Sequence, residues 1–481
     1  MPDSILSKLI PCPRQMTIFP GSVALDTKTC IRLAADFPEA LELTEKLCND
    51  FFHTCPMIEK THSETLPEEA YRLDFRENTL ALHASAPIGL LHAFKTLRQL
   101  AEASNDEIFR FPQVQISDAP ALPFRGIHFC IFPETSLIDL EKNIRLAAYH
   151  KFNYAILEFW GTFPFLSHPE FGWQDRQLNR EQLKKLIRLG KELGIAMIPQ
   201  LNLLGHASAA RAISGKHAVL YRHPELEALF EPSGWSWCIS NPRSRNFLTE
   251  AVLELHQFFE KPEFFHVGCD EAEDLGSCLR CREHALPQLL LQHLEHFHQL
   301  LKKLGCRMIM WHDMLLQRND PRWLHFVANG KHEQLQDFHK SLPKDILLAD
   351  WEYGIPPENQ RQTGWPTTEF FRKDGFETLL CPWDNESDML SMANYAEAKQ
   401  LPGILVTTWH QLQTMKYNIF MNTGACAAWN PKNCSATTLA GRLALAKHLT
   451  QVCWDMKLTQ YESAGYVSSQ IPTVSLPNPL L

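Results

Sequence analysis

After Pro123 the chain settles into a regular alternation of short apolar runs and stretches whose apolar positions recur at helical spacing. The runs are RGIHFCIF (125–132), FNYAILEF (152–159), IAMIPQLNL (195–203), EFFHVGC (263–269), RMIMW (307–311), DILLADW (345–351), FETLLCPW (376–383) and GILVTTW (403–409). Segments such as LIDLEKNIRLAAYH, REQLKKLIRLGKELG and LPQLLLQHLEHFHQLLKKLG follow them and read as amphipathic helices. Eight such runs predict an α/β chain closed into a (β/α)8 TIM barrel. An open doubly wound sheet would usually carry a glycine-rich phosphate loop after an early strand, and none is evident.

The segment SDAPALP, with two prolines near residue 120, separates this pattern from what precedes it. Residues 1–120 are expected to form a small α+β domain, 121–455 the barrel, and 456–481 a C-terminal extension containing Pro and Ser. Within the first domain, YRLDF and TLALHAS read as a hairpin turning at Glu77 and Asn78, and PIGLLHAFKTLRQLAEA as a helix. No catalytic constellation stands out there.

A length of 481 residues suits one large domain plus a smaller one, and 45% hydrophobic with 21% charged residues is ordinary globular composition. The net charge of -9 comes without any Lys/Arg-rich run, which argues against nucleic acid or an anionic membrane as the main partner. The N-terminus lacks a signal-like apolar core, so a cytoplasmic protein is expected. Fourteen cysteines without regular spacing fit reduced thiols better than a disulfide framework. Cys278, Cys281 and His284 do form C-x-x-C-x-x-H, with Cys269 shortly before, but no second C-x-x-C completes a four-ligand zinc set. No metal site is assigned, and no cofactor is expected.

A barrel of this kind gathers its active site at the carboxyl ends of its strands. The residues falling there are Glu158 and Trp160, His206, Asp270 and Glu271, Trp311 with His312 and Asp313, Asp350 to Tyr353, Trp383 and Asp384, and Trp409 to Gln411. Tryptophans at successive strand ends suit the apolar faces of sugar rings. The acids sit in FFHVGCDEAEDLG (264–276), an apolar strand running into adjacent carboxylates. Neighbouring acids in a cleft can be pushed to different protonation states, which suits glycoside chemistry. A solvated acidic turn is the plain alternative, since Glu273 and Asp274 continue the charge. A metal-dependent hydrolase using His206, His266, Asp270 and His312 is another. Adjacent residues in a regular strand face opposite ways, so Asp270 and Glu271 can serve one site only where the strand is ending, beside Gly268.

These residues resemble glycoside hydrolase family 20, the β-N-acetylhexosaminidases. FHVGCDEAEDLG looks like the family's His-x-Gly-x-Asp-Glu signature, FRG (124–126) like its sugar-contacting Arg, and IPQLNLLGHASAA like the segment bearing its active-site His. MIMWHDML and DWEYG resemble its tryptophan-bearing strand ends, and AYRLDFRENTLALHASAPIGLLHAFKTLRQL its small α+β domain. GCDEAEDLGSCLRC and WHDML look closest to the intracellular hexosaminidase D-like branch.

The resemblance implies exo-acting removal of terminal GlcNAc or GalNAc by substrate-assisted retaining hydrolysis, an exception to the two-carboxylate arrangement. Glu271 would protonate the leaving oxygen and then activate water, while Asp270 would orient the 2-acetamido group as it closes to an oxazolinium ion. Arg125 would bind sugar hydroxyls, with a structural salt bridge as the alternative, and His206 would bond near Glu271. Trp351 and Trp409 would wall the acetamido pocket, and Trp311 would lie near the entrance or the leaving group. Trp383 and Asp384 fall near the place where the family supplies a Tyr and an Asp, and Tyr353 is a candidate substitute phenol.

Three positions depart from the family pattern: Cys130 where relatives commonly have Asp, Trp160 and Gly161 where an acidic pair is common, and Gln411 where many have a Glu on distal hydroxyls. They bear on specificity and efficiency and leave open a catalytically weak sugar-binding homologue, or an enzyme for a disaccharide or modified hexosamine. The expected partner is a carbohydrate with a terminal N-acetylhexosamine, and a homodimer is left open.

Overall fold

The computed structural model describes residues 9–103, 109–172, 177–207, 218–323, 328–330, 333–353, 364–409, 412 and 420–434. The expected C-terminal extension, and Gln411, lie outside them. The described residues fall into two compact units. One comprises residues up to 125 with 145–152 and 420–434; the other comprises 126–144 and 153–412.

The first unit is built on a mixed sheet. Its strands are β1 (Gln15–Leu25), β2 (Cys30–Ala34), β3 (Met57–Lys60), β4 (Tyr71–Arg76), β5 (Thr79–Ala84), β6 (Glu102–Ala103) and β7 (Phe109–Asp118). They lie in the order β1-β7-β4-β5-β2-β3, with β6 paired to β7. Alternation of apolar and polar residues in β4 and β5 sends Leu73, Phe75, Leu80 and Leu82 to one face. There they join Leu90, Phe94 and Leu97 of the helix Pro87–Leu100 in a common core. The expected hairpin forms, and Glu77 makes its turn at a φ of 54°.

Arg125 belongs to this unit and corrects an expectation. It is the second residue of β8 (Phe124–Ile131), so the strand's carboxyl end lies six residues, roughly 20 Å, further on. Its side chain is fully buried, and both terminal nitrogens donate to the Glu69 carboxylate. Its Nε donates to the Lys151 carbonyl at 3.0 Å, and Nη1 also donates to the Leu122 carbonyl at 2.9 Å. Burial alone would raise the Glu69 carboxyl, but His92 and Arg125 outweigh it and hold the group at about 2. The guanidinium is thus engaged as a structural ion-pair partner, the alternative to sugar binding, away from the strand's carboxyl end. Such a fork satisfies a half-buried carboxylate that any shorter cation would leave partly unpaired.

The second unit is the barrel. β8, β9 (Tyr154–Phe159), β10 (Ala196–Gln200), β11 (Phe264–His266), β12 (Arg307–Trp311), β13 (Leu347–Asp350), β14 (Glu377–Leu380) and β15 (Gly403–Val406) form a closed parallel sheet in sequential order. All eight runs read from the sequence are strands, several shorter than expected. The helices Arg180–Glu192, Pro242–Phe258 and Leu286–Lys303 begin at a side-chain cap or a proline: Asn179 accepts from the Gln182 N–H, Asn241 from the Arg243 N–H, and Pro287 occupies the first turn. No helix among the described residues is long and apolar enough to cross a membrane.

Register carries polar groups into the barrel's interior near its carboxyl end. Cys130 pairs with Glu158, Glu158 with Gln200, and Gln200 with His266, one across from the next. Glu158 is buried, lies 3.0 Å from His128 Nε2 and accepts from Asn202 Nδ2 at 2.8 Å. These bonds overcome the cost of burial and bring its carboxyl down to about 2. A charged layer therefore underlies the rim.

Removing one partner of a buried ion pair leaves an uncompensated charge, whereas replacing both can be nearly neutral. Arg125→Met is expected to lower the unfolding free energy by about 3 kcal/mol in urea titrations. Adding Glu69→Leu should recover most of it. An unchanged midpoint in the single variant would show that the pair contributes nothing.

Candidate active site at the barrel rim

The end of β11 is where the local backbone departs most from a regular strand. The strand stops at His266, and Gly268, Cys269 and Glu271 then take φ values of 62°, 75° and 46°. Left-handed backbone costs a non-glycine residue about 1–2 kcal/mol, and such strain persists where surrounding contacts over-determine it. Two glycines make the fold possible. A Cβ on Gly268 would stand 1.9 Å from Asn202 Oδ1, and one on Gly205 would stand 2.2 Å from the Asp270 carbonyl oxygen. The segment after β10 and the segment after β11 therefore touch backbone to backbone.

This turn lets Asp270 and Glu271 face one partner. His206 Nε2 lies 3.2 Å from Asp270 Oδ2 and 3.5 Å from Glu271 Oε2. Asp270 is buried, while the Glu271 side chain is 43% exposed. Burial works against a charged imidazole at His206, but the adjacent Asp270 carboxylate, with help from Glu158 and Glu271, raises it to about 9. At neutral pH the position holds an imidazolium between the two acids. Glu158 in the layer below adds to the field on His206, and the Trp160 ring packs edge-on against His206, centroids 5.4 Å apart.

The main chain of Glu271 is clamped on both sides. Its N–H donates to Asp313 Oδ2 at 3.0 Å, and its carbonyl accepts from Trp235 Nε1 at 2.5 Å. Asp313 also accepts from Asn329 Nδ2 at 2.7 Å. Burial and the nearby Asp270 charge lift the Asp313 carboxyl to about 7. Sequence reading placed Asp313 on the rim without a role and passed over Trp235, Asn202 and Asn329. Asn202 and Asn329 lie at positions where a polar residue carries no motif. Trp235 sits far along the chain from the acids, so only the fold brings it to them.

The aromatic residues fall into two groups. Tyr353 is flanked by Trp351 and Trp383, with ring centroids 5.3 and 5.4 Å away. Its hydroxyl hydrogen-bonds Thr407 Oγ1 at 2.8 Å and accepts from Trp409 Nε1 at 3.0 Å. Trp351, Tyr353, Trp383 and Trp409 thus form one connected wall. Asp384 follows Trp383 and is half-buried. Trp311 is fully buried between His266 (4.3 Å) and Trp409 (5.7 Å), inside the barrel and not at an entrance.

A metal on the rim finds no support in the positions of its suggested ligands. His266 accepts the Gly268 N–H through Nδ1, and burial pushes it down to about 3. His312 instead faces Asp350, 3.0 Å away. Among the described residues, a metal-sized cluster does form from Glu231, Cys238, Cys278 and Cys281. His284, the third member of C-x-x-C-x-x-H, is exposed and stands outside that group.

The raised His206 has a definite pH signature. Its ordinary value is 6.5 and its folded value about 9, so the stabilisation is complete below 6.5 and is lost as pH rises through 9. Chemical denaturation across that window should show a decline on the order of 3 kcal/mol from this group. His206→Asn should flatten it. Equal slopes for the two proteins would contradict the imidazolium assignment.

Comparison with known proteins follows the same outline. The model of "Glycosyl hydrolase family 20, catalytic domain" matches residues 168–427, more than half of the chain, and "Glycosyl hydrolase family 20, domain 2" matches 6–119. A beta-hexosaminidase of Porphyromonas gingivalis is 24% identical over 64% of this chain, which spans 45% of that protein's length. Hexosaminidase D of Bos taurus is 23% identical over 54% of this chain and 76% of its own. The structure of a Vibrio harveyi exo-β-N-acetylglucosaminidase with N-acetylglucosamine superposes with a TM-score of 0.68 at 17% identity, covering 94% of this chain and 77% of that one, a likeness of fold. A two-part match that takes in both the sheet domain and the strand-end acids places this chain in glycoside hydrolase family 20.

Proposed function

We propose that the chain is an exo-acting β-N-acetylhexosaminidase that releases terminal GlcNAc or GalNAc by substrate-assisted retaining hydrolysis. The observation that carries the reading is the division between the two acids: Asp270 buried against an imidazolium, Glu271 beside it and open to solvent. A fixed carboxylate suits the acetamido N–H, where positive charge develops as the amide oxygen closes on the anomeric carbon. An exposed carboxyl on a clamped backbone suits proton transfer to the leaving oxygen and then from water. The wall of Trp351, Tyr353, Trp383 and Trp409 suits an acetamido methyl, with Tyr353 locked in place as its hydroxyl donates to Thr407, which itself donates to the Pro382 carbonyl, and accepts from Trp409. Family membership, and relatives named as beta-hexosaminidases, support the substrate class. The GCDEAEDLGSCLRC segment supports a place near the hexosaminidase D-like branch.

Arg125 takes no part in this scheme, so hydroxyl recognition falls to other rim groups. That observation also favours a second reading, a weakly catalytic sugar-binding homologue. A chromogenic β-GlcNAc substrate separates the two. Turnover that drops by about 10²-fold or more in Glu271→Gln supports the enzyme. No turnover, or turnover that survives the substitution unchanged, rejects it. The matching β-glucoside lacks the acetamido group and should be cleaved far more slowly; comparable rates would remove substrate assistance.

Asp313 acts through Glu271 by holding its N–H. Asp313→Ala is expected to lower kcat about tenfold with less change in KM, since a lost hydrogen bond of this kind is worth about 1.5 kcal/mol. Asp313→Asn keeps an acceptor oxygen and should stay within a few-fold, while removing any inflection near pH 7 from the rate profile. Equal losses in both variants would assign the effect to packing alone.

A further inference from the structure

Outside the acids, the densest unexplained chemistry in the described residues is a group of three sulfurs and a carboxylate. Cys238 Sγ lies 3.5 Å from Cys278 Sγ and 3.7 Å from Cys281 Sγ. One ligand atom from each of Glu231, Cys238, Cys278 and Cys281 falls within 4.8 Å of every other. Two sulfurs on one tetrahedral zinc ion, each about 2.3 Å from the metal, stand about 3.8 Å apart. The two measured separations are within a few tenths of an ångström of that.

The polypeptide around the sulfurs is arranged as a thiolate site requires. Cys278 caps the short helix Leu279–Arg282, and its sulfur accepts the Cys281 N–H at 3.3 Å. Ser240 Oγ lies 3.1 Å from Cys281 Sγ and 3.4 Å from Cys238 Sγ. A C-x-x-C turn with its second N–H aimed at the first sulfur stabilises negative charge there. Glu231 is buried and uses only half of its carboxylate: Oε2 accepts from the Cys278 N–H at 2.6 Å and from Ser277 Oγ at 3.2 Å. Oε1 is buried with no hydrogen-bond partner, an arrangement that is costly unless something else binds it. All three cysteines are free thiols, and Cys278 is half-exposed, which gives an entry path.

We infer that Cys238, Cys278 and Cys281, with Glu231 Oε1 as fourth ligand, hold one zinc ion. Three soft thiolates with one carboxylate in a closed tetrahedral set favour zinc over magnesium or calcium, which prefer oxygen ligands and higher coordination. A set with no open position is structural. What it would join bears directly on the acids. Glu231 and Cys238 border the loop carrying Trp235, whose indole holds the Glu271 carbonyl, and Trp237, whose indole donates to the Asn202 carbonyl at 2.9 Å. Cys278 and Cys281 follow Glu271 on the other segment. The ion would therefore cross-link the two stretches of backbone that fix the position of Glu271.

The test begins with the full chain isolated under reducing conditions and incubated with zinc alone, then dialysed and its metal counted by mass spectrometry. About one zinc per chain is expected, with none retained by Cys278→Ser/Cys281→Ser. Glu231→Ala should retain the three sulfurs, seen as thiolate-to-cobalt charge-transfer absorption after cobalt loading, but lose zinc to a competing chelator roughly tenfold more readily. Zinc well below stoichiometry in the unaltered protein overturns the site. So does zinc retained equally by the double cysteine variant, or a disulfide among the three cysteines found by peptide mapping. The count of zinc is read without reference to hydrolysis, so it stands or falls independently of the activity proposed above.

Discussion

The rim of this barrel is organised around a carboxylate that is buried and needs a positive partner. Asp270 takes its counter-charge from His206, which is held as an imidazolium against the unfavourable effect of burial. His206 keeps that charge because Glu158 and Glu271 add to the field of Asp270. Glu158 in turn is fixed by His128 and Asn202 in the layer beneath. The chain of dependence runs from strand register to polar layer to imidazolium to the acids. Cutting it at any point leaves a buried charge alone, at a cost of several kcal/mol.

A second constraint is geometric. Two consecutive side chains can act at one place only where the strand pattern is broken, and three left-handed residues within four break it here. The break is stabilised by contacts from other segments: Asp313 on the N–H of Glu271, Trp235 on its carbonyl, and the close approach of Gly205 to the carbonyl of Asp270. Asp313 reconciles two demands. As an acceptor it can hold the Glu271 N–H, and as a carboxyl lifted to about 7 it need not confront Asp270 with a second full charge below neutral pH.

Much of this was readable in the sequence, for physical reasons. Eight short apolar runs recur along the chain with stretches of period-3.6 spacing among them, so the barrel follows from hydrophobic spacing. An apolar strand that runs straight into Asp270 and Glu271 announces itself because ionised groups are rare beside such runs. Arg125 and Trp311 show what residue type alone leaves out. Both residue types suit sugar binding, but a side chain's place depends on which end of a strand it occupies and what packs around it: Arg125 is near the start of β8 beside Glu69, and Trp311 is turned into the barrel. The sulfur cluster was half visible as Cys278 and Cys281. Its third sulfur comes from Cys238, 40 residues earlier, through a fold that local spacing cannot encode.

The clamp on the backbone of Glu271 bears on how one group could serve two successive proton transfers. With N–H and carbonyl both tied down, any movement of the residue is confined to its side chain, whose carboxyl stands beside His206 and is partly exposed to solvent. Rotation about side-chain bonds is fast compared with movements of whole loops. A shift between the oxygen that departs and the water that arrives would then be a small swing about a stationary pivot, made without rebuilding the surrounding cage of hydrogen bonds. Reorganisation, which often governs how quickly a proton can change hands, is in that sense completed when the chain folds.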